Sequence, residues 1–348
     1  MSKIVKKVFA VCMAFIMVLT LAEGFFHVAR AYEPFRPFFT YSTDITVRRE
    51  NFTEFFDLNN PMGPLGTPLS YDPSTGILIL TPDQPRMVGS TTLAPRINMN
   101  ADFNLQADVF LGDKIHIAGG GDGIGFAFHP NHTRDMGNFG NGLGIAGLPN
   151  GIGFKLDTFF NPVAEPSLGT HPDPNVGGIR QFGAFVITDG VFIRNVPDTR
   201  PGAVPGTNRR QYGWAHVYTD SVQAVPELTN SQWHGLEIDY VAATRIMTVI
   251  LTHRPSEGVD GQVLVWTKNI DPIVSYAQNV LGVESFGFSI SASTGDNTNL
   301  HKFRLEEFRY EARSGVLEAR YFAIDYPDIM IAGIERHENV VEVPEQTA

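Results

Sequence analysis

The stretch GIGFKLDTFFN, residues 151–161, is informative about both the fold class and a candidate binding site. In its first half the apolar residues Phe154 and Leu156 alternate with a second set that ends at Asp157. Alternation with a period of two is typical of a β-strand, and a shift of one residue would turn the apolar set to water. Two interpretations remain open: an ordinary strand that ends in a turn, or a strand whose Asp157 and Asn161 hold a ligand.

Short runs of the same kind recur from about residue 50 to residue 312, whereas helical periodicity is almost absent. Gly, Pro, Asn and Asp bound these runs. Many short strands punctuated by turn residues predict one all-β sandwich or barrel. The runs are TGILILT, FNLQADVFLG, GIGFAFHP, FGAFVITDGVFI, HGLEIDYVA, RIMTVILT, QVLVWTK, SFGFSIS and KFRLEEFRYEA.

The first 31 residues have the pattern of a secretory signal peptide. Lysines at positions 3, 6 and 7 precede an apolar stretch, Val8 to Leu21, and a small-x-small site ends at Ala31. The alternative is a membrane anchor, but the uninterrupted apolar stretch is shorter than the roughly 20 residues that a spanning helix needs. We therefore expect cleavage after Ala31, a secreted, extracellular or cell-surface protein, and no transmembrane segment in the mature chain.

Charge and cysteine content narrow the classes of partner. The whole chain has 26 Lys and Arg against 37 Asp and Glu, and removal of residues 1–31 leaves 22 against 36, a net charge of −14. So acidic a chain argues against nucleic acid and anionic membranes as partners, and is compatible with neutral ligands and cations. Cys12, the only cysteine, lies in the signal peptide. The mature protein must therefore be stabilised by its core or by bound metal.

Three Gly-rich loops punctuate the middle of the chain. Glycine permits close approach of the backbone to a ligand, so such loops suit turns or binding sites. The first loop leads into a strand and not into a helix, which argues against phosphate binding. The loops are AGGGDGIGFAFHP (118–130), GNFGNGLGIAGLPNGIGF (137–154) and SASTGDNTNLHKF (291–303).

The order of these loops resembles that of the L-type lectins, the legume-lectin-like group, and most closely the lectin modules of Gram-positive bacterial surface adhesins. The resemblance covers roughly residues 40–312 and implies a jelly-roll antiparallel β-sandwich of the concanavalin A-like type. We expect a lectin-like domain over residues 32–312, and a tail, linker or start of another module over 313–348. The segments that carry the resemblance are FDLNNPMG, GILILTPDQPRMVGSTTL, GDGIGFAFHP, GLGIAGLPNGIGFKLDTFFN, WHGLEIDYVAATRIMTVIL and GFSISASTGDNTNLHKFRLEEFRY.

The resemblance also implies a carbohydrate site. Asp122 matches an acid that accepts hydrogen bonds from sugar hydroxyls and that often follows a cis peptide bond, here Gly121-Asp122. A glycine of GNGLG matches the backbone N–H donor, and the loop Thr294–Asn299 matches the loop that closes the site and sets specificity. The carbohydrate-binding residues expected are Asp122, Gly140, Gly142, Asn161, Thr294, Gly295, Asp296 and Asn297.

A calcium site is implied beside it. In the family an Asp, a carbonyl two residues on, an Asn two further and a later Asp hold the ion. Hard oxygen ligands of these kinds suit calcium. Calcium would hold the loop in one conformation, and the amide of Asn161 in that loop would then donate to the sugar. The expected ligands are Asp157, the Phe159 carbonyl, Asn161 and Asp173, with Glu165 as the alternative to Asp173.

Lys155 is an informative departure from the family pattern. Plant members carry a second, transition-metal site whose first ligand is an acid two residues before the shared Asp. A protonated lysine cannot be a metal ligand, so we expect one calcium and no manganese. A further hypothesis is that the Lys155 ammonium supplies the missing positive charge beside Asp157 or Asp173.

The candidate residues also have plain structural interpretations. Asp122 can be a turn former between glycines, Asp157 a buried structural acid, and Asn161-Pro162 a simple turn. Phe159 and Phe160 fit the core, or one of them stacks on a sugar ring. The histidines of this region are interpreted as loop residues and not as zinc ligands, because their spacing fits no zinc pattern. They are His129, His132 and His171.

Two other functions remain open beside a secreted, calcium-dependent lectin for adhesion or glycan recognition. Glycoside hydrolases of this shape carry their acids on one strand as E-x-D-x-x-E. Glu237 and Asp239 fit the first two positions, but Val241, Ala242 and Ala243 follow where the third acid is needed. We therefore expect no enzyme. The other alternative is a structural or protein-binding sandwich whose sugar site has decayed.

Overall fold

The computed structural model describes residues 42–58, 69–138, 140–162, 172–174, 181–188, 192–197, 208–212, 217–218 and 221–313. Four predictions lie outside them: the signal peptide, residues 314–348 of the tail, Glu165 as a metal ligand and His171 as a loop histidine.

Antiparallel strands dominate the described residues, which confirms the all-β prediction. The strands are β1 (Ser42–Val47), β2 (Phe56–Asp57), β3 (Ser70–Asp72), β4 (Ile77–Thr81), β5 (Val88–Leu93), β6 (Ile97–Asn98), β7 (Phe103–Phe110), β8 (Gly123–His129), β9 (Gly151–Asp157), β10 (Phe182–Thr188), β11 (Phe192–Pro197), β12 (Asn208–Tyr212), β13 (Val217–Tyr218), β14 (Gln223–Ala224), β15 (Trp233–Val241), β16 (Ile246–Thr252), β17 (Val263–Asn269), β18 (Ser285–Ser293) and β19 (His301–Arg313). The short helices are α1 (Phe52–Phe55) and α2 (Asp271–Tyr276), with 3₁₀ turns at Arg49–Asn51, His116–Ala118 and Gly140–Gly142 and a π turn at Ala277–Leu281. None of these described helices is long and apolar enough to cross a membrane.

The strands form two layers. In the front layer β2, β5, β18, β8, β9 and β10 are hydrogen-bonded in this order. In the back layer β19, β7, β15, β16 and β17 follow one another, with β1 and β4 along the other side of β19. The short strand β6 joins the layers, because it pairs with both β18 and β19.

Aromatic side chains fill the space between the layers. Phe126 of the front layer lies 6.3 Å from Phe303 of the back layer, and Phe154 lies 5.1 Å from Trp266, between ring centroids. These rings are buried, and burial of each large apolar side chain contributes about 1.5–3 kcal/mol. The two layers are therefore held together by a hydrophobic core, as expected for a sandwich.

Both faces of β9 are buried, which the alternation alone does not reveal. Phe154 and Leu156 belong to the core between the layers. The opposite face is covered by the Gly-rich segment before the strand: a Cβ at Gly153 would lie only 2.5 Å from the Cγ2 of Ile145. Because side chains alternate along a strand, Lys155 shares this covered face and is enclosed with it.

Acidification should destabilise the fold through buried histidines. Burial lowers the pKa of His129 and of His301 to about 3 and that of His234 to about 4. In the unfolded chain each titrates near 6.5 and binds the proton first, so stability falls as pH drops below that value, by up to about 1.4 kcal/mol per pH unit per histidine. Denaturant unfolding with a chelator at about pH 7 and about pH 5 measures the loss.

A His129→Gln variant is the control for this prediction, because it removes one titrating group. Its unfolding free energy should depend less steeply on pH than that of the wild type. An unfolding free energy that stays constant between about pH 7 and about pH 5 in the wild type would refute the prediction.

Candidate functional site

Strand register brings three separate segments to one edge of the front layer. In the β8–β9 pair Gly123 lies opposite Asp157, and in the β18–β8 pair Ser293 lies opposite Gly123. Asp122 therefore lies beside the end of β9 and beside the end of β18, where residues 294–299 begin. The sequence-predicted sugar acid, calcium loop and specificity loop thus meet because three neighbouring strands start or end there.

Asp122 is held by its backbone from both sides. The Gly121-Asp122 peptide bond is cis, as expected. The Asp122 N–H donates to the Ser293 carbonyl at 2.9 Å, while its carbonyl accepts from the N–H and hydroxyl of Thr158 at 2.8 and 3.0 Å. A Cβ built on Gly295 would lie 3.7 and 3.9 Å from the two carboxylate oxygens. The carboxylate therefore lies directly beside the loop that begins at Thr294.

Hydrogen bonds close the loop that follows β9. The Asp157 Oδ1 accepts from the Phe159 N–H at 3.0 Å. Asp173, twelve residues beyond Asn161, is bonded to it twice: the Asn161 N–H donates to Asp173 Oδ2 at 2.6 Å, and the Asp173 N–H donates to the Asn161 carbonyl at 2.8 Å. The four predicted calcium ligands thus lie in one closed loop system.

Oxygen atoms converge within this loop. The Asn161 side-chain amide lies 3.3 Å from the Phe159 carbonyl oxygen and from Asp173 Oδ2, and with its NH₂ group turned toward them it donates to both. For a cation to bind here, the amide would have to turn over and present its oxygen instead. In the described ranges no group of three or more His, Cys, Asp or Glu side chains is arranged to hold a metal. The donor types that this loop does offer, carboxylate, backbone carbonyl and side-chain amide, are those that calcium takes.

Electrostatics at the site also favour a bound cation. Burial raises the pKa of the Asp157 carboxyl well above its usual value, the Lys155 ammonium opposes this rise, and the nearby Asp173 and Asp122 add to it. Asp157 and Asp173 contact the buried Lys155 ammonium, and Asp122 acts on Asp157 from farther away, so that ionisation of all three acids would leave an excess of negative charge. A divalent cation would remove that excess and keep Asp157 ionised.

Lys155 contacts both acids of the predicted metal site. Its Nζ lies 2.7 Å from Asp157 Oδ2 and 3.8 Å from Asp173 Oδ1. It also donates to the carbonyl and the side-chain oxygen of Asn141, at 2.9 and 2.8 Å. The ammonium hypothesis is therefore consistent with the observed contacts. Sequence reasoning missed Asn141, whose only signal is its place between two glycines of a predicted binding loop.

The loop after β18 rests on residues 84–87, which sequence reasoning did not single out. The buried Thr294 hydroxyl binds two backbone groups of that segment, at 2.7 and 2.9 Å. The Arg86 N–H donates to the Gly295 carbonyl at 2.8 Å, and the exposed Arg86 guanidinium pairs with Asp296 at 3.1 Å. Thr294 therefore positions the loop through its hydroxyl, whereas Asp296 is exposed.

The far end of the same loop, at Asn299, is fixed by backbone groups of Asp113 and Lys114, which sequence reasoning did not single out. Asn299 is fully buried and accepts from the backbone N–H groups of Asp113 and Lys114 at 3.2 and 3.1 Å. Its amide donates to the Lys114 carbonyl at 2.8 Å. Asn297 lies beside Gly119, where a Cβ would be 3.7 Å from its Oδ1. The run of glycines at 119–121 is the sequence signal for this close approach.

The Gly140–Gly142 turn reaches the same edge. The Ser293 hydroxyl donates to the Gly140 carbonyl at 2.9 Å. Gly140 has a φ of +60°, which glycine adopts at no steric cost, and it is half-buried, whereas Gly142 is buried. Gly140 is therefore the more accessible of the two predicted backbone donors.

Phe159 is half-buried and packs on His116, with ring centroids 4.7 Å apart.

The acids considered for hydrolysis lie on the back layer. Glu237 and Asp239 share one face of β15 and are half-buried. Both accept hydrogen bonds from the Asn104 amide, at 2.7 and 2.6 Å. Asn104 lies opposite Asp239 in the neighbouring strand β7, so the two acids form part of a cross-strand contact.

Two solved lectin structures are similar to this chain. The basic winged bean lectin solved with Tn-antigen is 17% identical, with 80% of this chain and 100% of that chain covered and a TM-score of 0.49. The acidic winged bean lectin solved with methyl-α-D-galactose is 18% identical, with 79% and 100% covered and a TM-score of 0.49.

Sequence relatives are bacterial adhesins. The "Serine-rich adhesin for platelets" of Staphylococcus aureus strain MRSA252 is 34% identical over 287 residues, which cover 80% of this chain and 18% of that protein. Its counterpart in strain USA300 is 35% identical over 286 residues, which cover 80% and 11%. The chain thus spans less than a fifth of the length of these relatives.

A family model covers most of the chain. The model described as the legume lectin beta-barrel domain matches residues 47–307, which include every strand that contributes to the site. This match confirms the resemblance drawn from the order of the loops. The chain belongs to the L-type lectin family.

Proposed function

We propose that this protein is a secreted, calcium-dependent carbohydrate-binding protein that acts in adhesion or glycan recognition. One observation carries the proposal: the Phe159 carbonyl, the Asn161 side chain and the Asp173 carboxylate meet at the same edge of the front layer as Asp122. The proposed calcium loop and the proposed acceptor for sugar hydroxyl groups are therefore neighbours.

The proposed calcium ligands are Asp157, the Phe159 carbonyl, Asn161 and Asp173, with water in the remaining positions. Bound calcium would supply positive charge to this group of oxygen ligands. Asn161 is the shared residue in this proposal. If its amide oxygen turned toward the ion, its NH₂ group would be left to donate to a ligand hydroxyl.

The proposed sugar contacts come from three segments. The ionised Asp122 accepts from two hydroxyl groups, and charged acceptors make the stronger hydrogen bonds. A backbone N–H of the Gly140–Gly142 turn donates to the same sugar. The loop from Gly295 to Asn297 closes the site, while Thr294 holds that loop in position.

Adhesion is proposed because the named relatives are adhesins and this chain corresponds to a small part of each. Residues 1–31 are proposed as the signal peptide and residues 32–312 as the lectin domain. Carbohydrate would be the partner and nucleic acid would not. Binding to one site should be weak, since polar groups must be desolvated, and several copies would raise the avidity.

A glycan array probed with calcium and then with chelator tests the proposal. We expect binding to a defined set of glycans that requires calcium and that returns when calcium replaces the chelator. Binding that persists in chelator would contradict the calcium dependence.

The array and a separate hydrolysis assay distinguish the two alternatives. Absence of binding to any glycan under either condition would favour a structural or protein-binding sandwich. Release of reducing ends from β-glucans or xylans, abolished in a Glu237→Gln variant, would show a hydrolase instead.

A further inference from the structure

Lys155 is an ammonium group enclosed in the front layer. The side chain is 1% exposed, and its Nζ is surrounded by oxygens at 2.7, 2.8, 2.9 and 3.8 Å. These oxygens belong to Asp157, to Asn141, which contributes two, and to Asp173. The Phe182 ring lies on another side, with its centroid 5.5 Å from Nζ.

Such a buried charge requires close partners, because removal of an ammonium from water costs several kcal/mol. The partners of Lys155 come from different parts of the chain. Asp157 and Asp173 belong to the proposed calcium loop, whereas Asn141 is the centre of the Gly140–Gly142 turn. The ammonium is therefore a cross-link between the calcium loop and the turn that carries a proposed sugar donor.

We propose that Lys155 is a built-in cation that joins the calcium loop to the Gly140–Gly142 turn and holds that turn in place before calcium binds. The inference rests on the proposed function for the role of the turn. The four oxygens around Nζ all belong to the chain itself, so we expect the cross-link to hold without a bound ion.

A Lys155→Met variant, which keeps an unbranched side chain but removes the charge, tests this inference in chelator. We expect the melting temperature to fall by roughly 5–10 °C, because Asp157 and Asp173 lose their buried counter-charge. We also expect hydrogen exchange of the backbone amides of residues 141–146 to become roughly tenfold faster. The matched control is Lys302→Met, which removes an ammonium that lies over the Phe110 ring, 4.4 Å from its centroid. The control should leave these amides unchanged.

An Asn141→Ala variant covers the case in which Lys155→Met does not fold. It removes one of the four oxygens and leaves the Lys155–Asp157 pair intact. We expect faster exchange of the amides of 141–146, with a melting temperature closer to that of the wild type. Wild-type exchange in this variant, or wild-type exchange and melting in Lys155→Met, would overturn the inference.

These outcomes are distinct from failure of the proposed function. Calcium titration of the wild type and the glycan array test calcium and sugar binding, whereas the exchange experiment is done without either ligand. A wild type that binds no calcium but loses protection of residues 141–146 on Lys155→Met would refute the calcium proposal and retain the cross-link.

Discussion

Replacement of Asp157 by asparagine is expected to weaken calcium binding by at least about 100-fold. The substitution keeps the shape of the side chain but removes one of the two carboxylate charges proposed to face the ion, and calcium affinity depends strongly on ligand charge. It also leaves the buried Lys155 ammonium without its closest counter-charge, which lies 2.7 Å away. A loss of about 3 kcal/mol in unfolding free energy should follow. Calorimetric titration with calcium and denaturant unfolding measure the two effects.

The control for this variant is Asp260→Asn, which changes the net charge equally at an exposed acid paired with Arg254. Its calcium affinity and stability should match those of the wild type. If Asp157→Asn retained calcium affinity within tenfold of the wild type, Asp157 would not be a ligand.

Replacement of Asp122 by alanine should abolish sugar binding while the fold and the calcium site persist. The carboxylate is proposed to accept two hydrogen bonds, and each bond to a charged group contributes about 1.5–3 kcal/mol. We therefore expect at least about a 100-fold loss of affinity for the glycan that gives the strongest calcium-dependent array signal. The affinity of Asp122→Ala for calcium should change by less than about tenfold, because Asp122 acts on Asp157 only through space.

The control for Asp122→Ala is Asp296→Ala. Asp296 is exposed and paired with Arg86. Its replacement should change the set of glycans that bind, while the affinity for calcium stays close to that of the wild type. Undiminished glycan binding by Asp122→Ala would show that the sugar site lies elsewhere on the protein.

The sequence predicted the layers of the fold because its strands follow the period of two closely. The runs that became β15 and β16 alternate buried and half-buried residues, as the pattern requires. Strand β5 is harder to recognise, since every residue in it is buried and most are Ser, Thr or Gly.

The candidate site was predictable to the extent that its residues follow one another along the chain. Asp157, Phe159 and Asn161 are separated by fixed short intervals, so a family pattern reaches them directly. Asn141 and Arg86 were missed because their contacts depend on loops folding back over a strand edge. Spacing in the sequence does not encode such contacts. Lys155 was noticed as a departure from the pattern, yet its link to Asn141 required the fold.

Diffraction from crystals grown with both calcium and manganese tests the central claim most directly. Anomalous scattering distinguishes the two ions and locates each. The account predicts one calcium per chain, about 2.3–2.6 Å from the oxygens of Asp157, Phe159, Asn161 and Asp173, and no manganese beside Lys155. A manganese ion bound next to Asp157, or no ion within reach of these four oxygens, would contradict it.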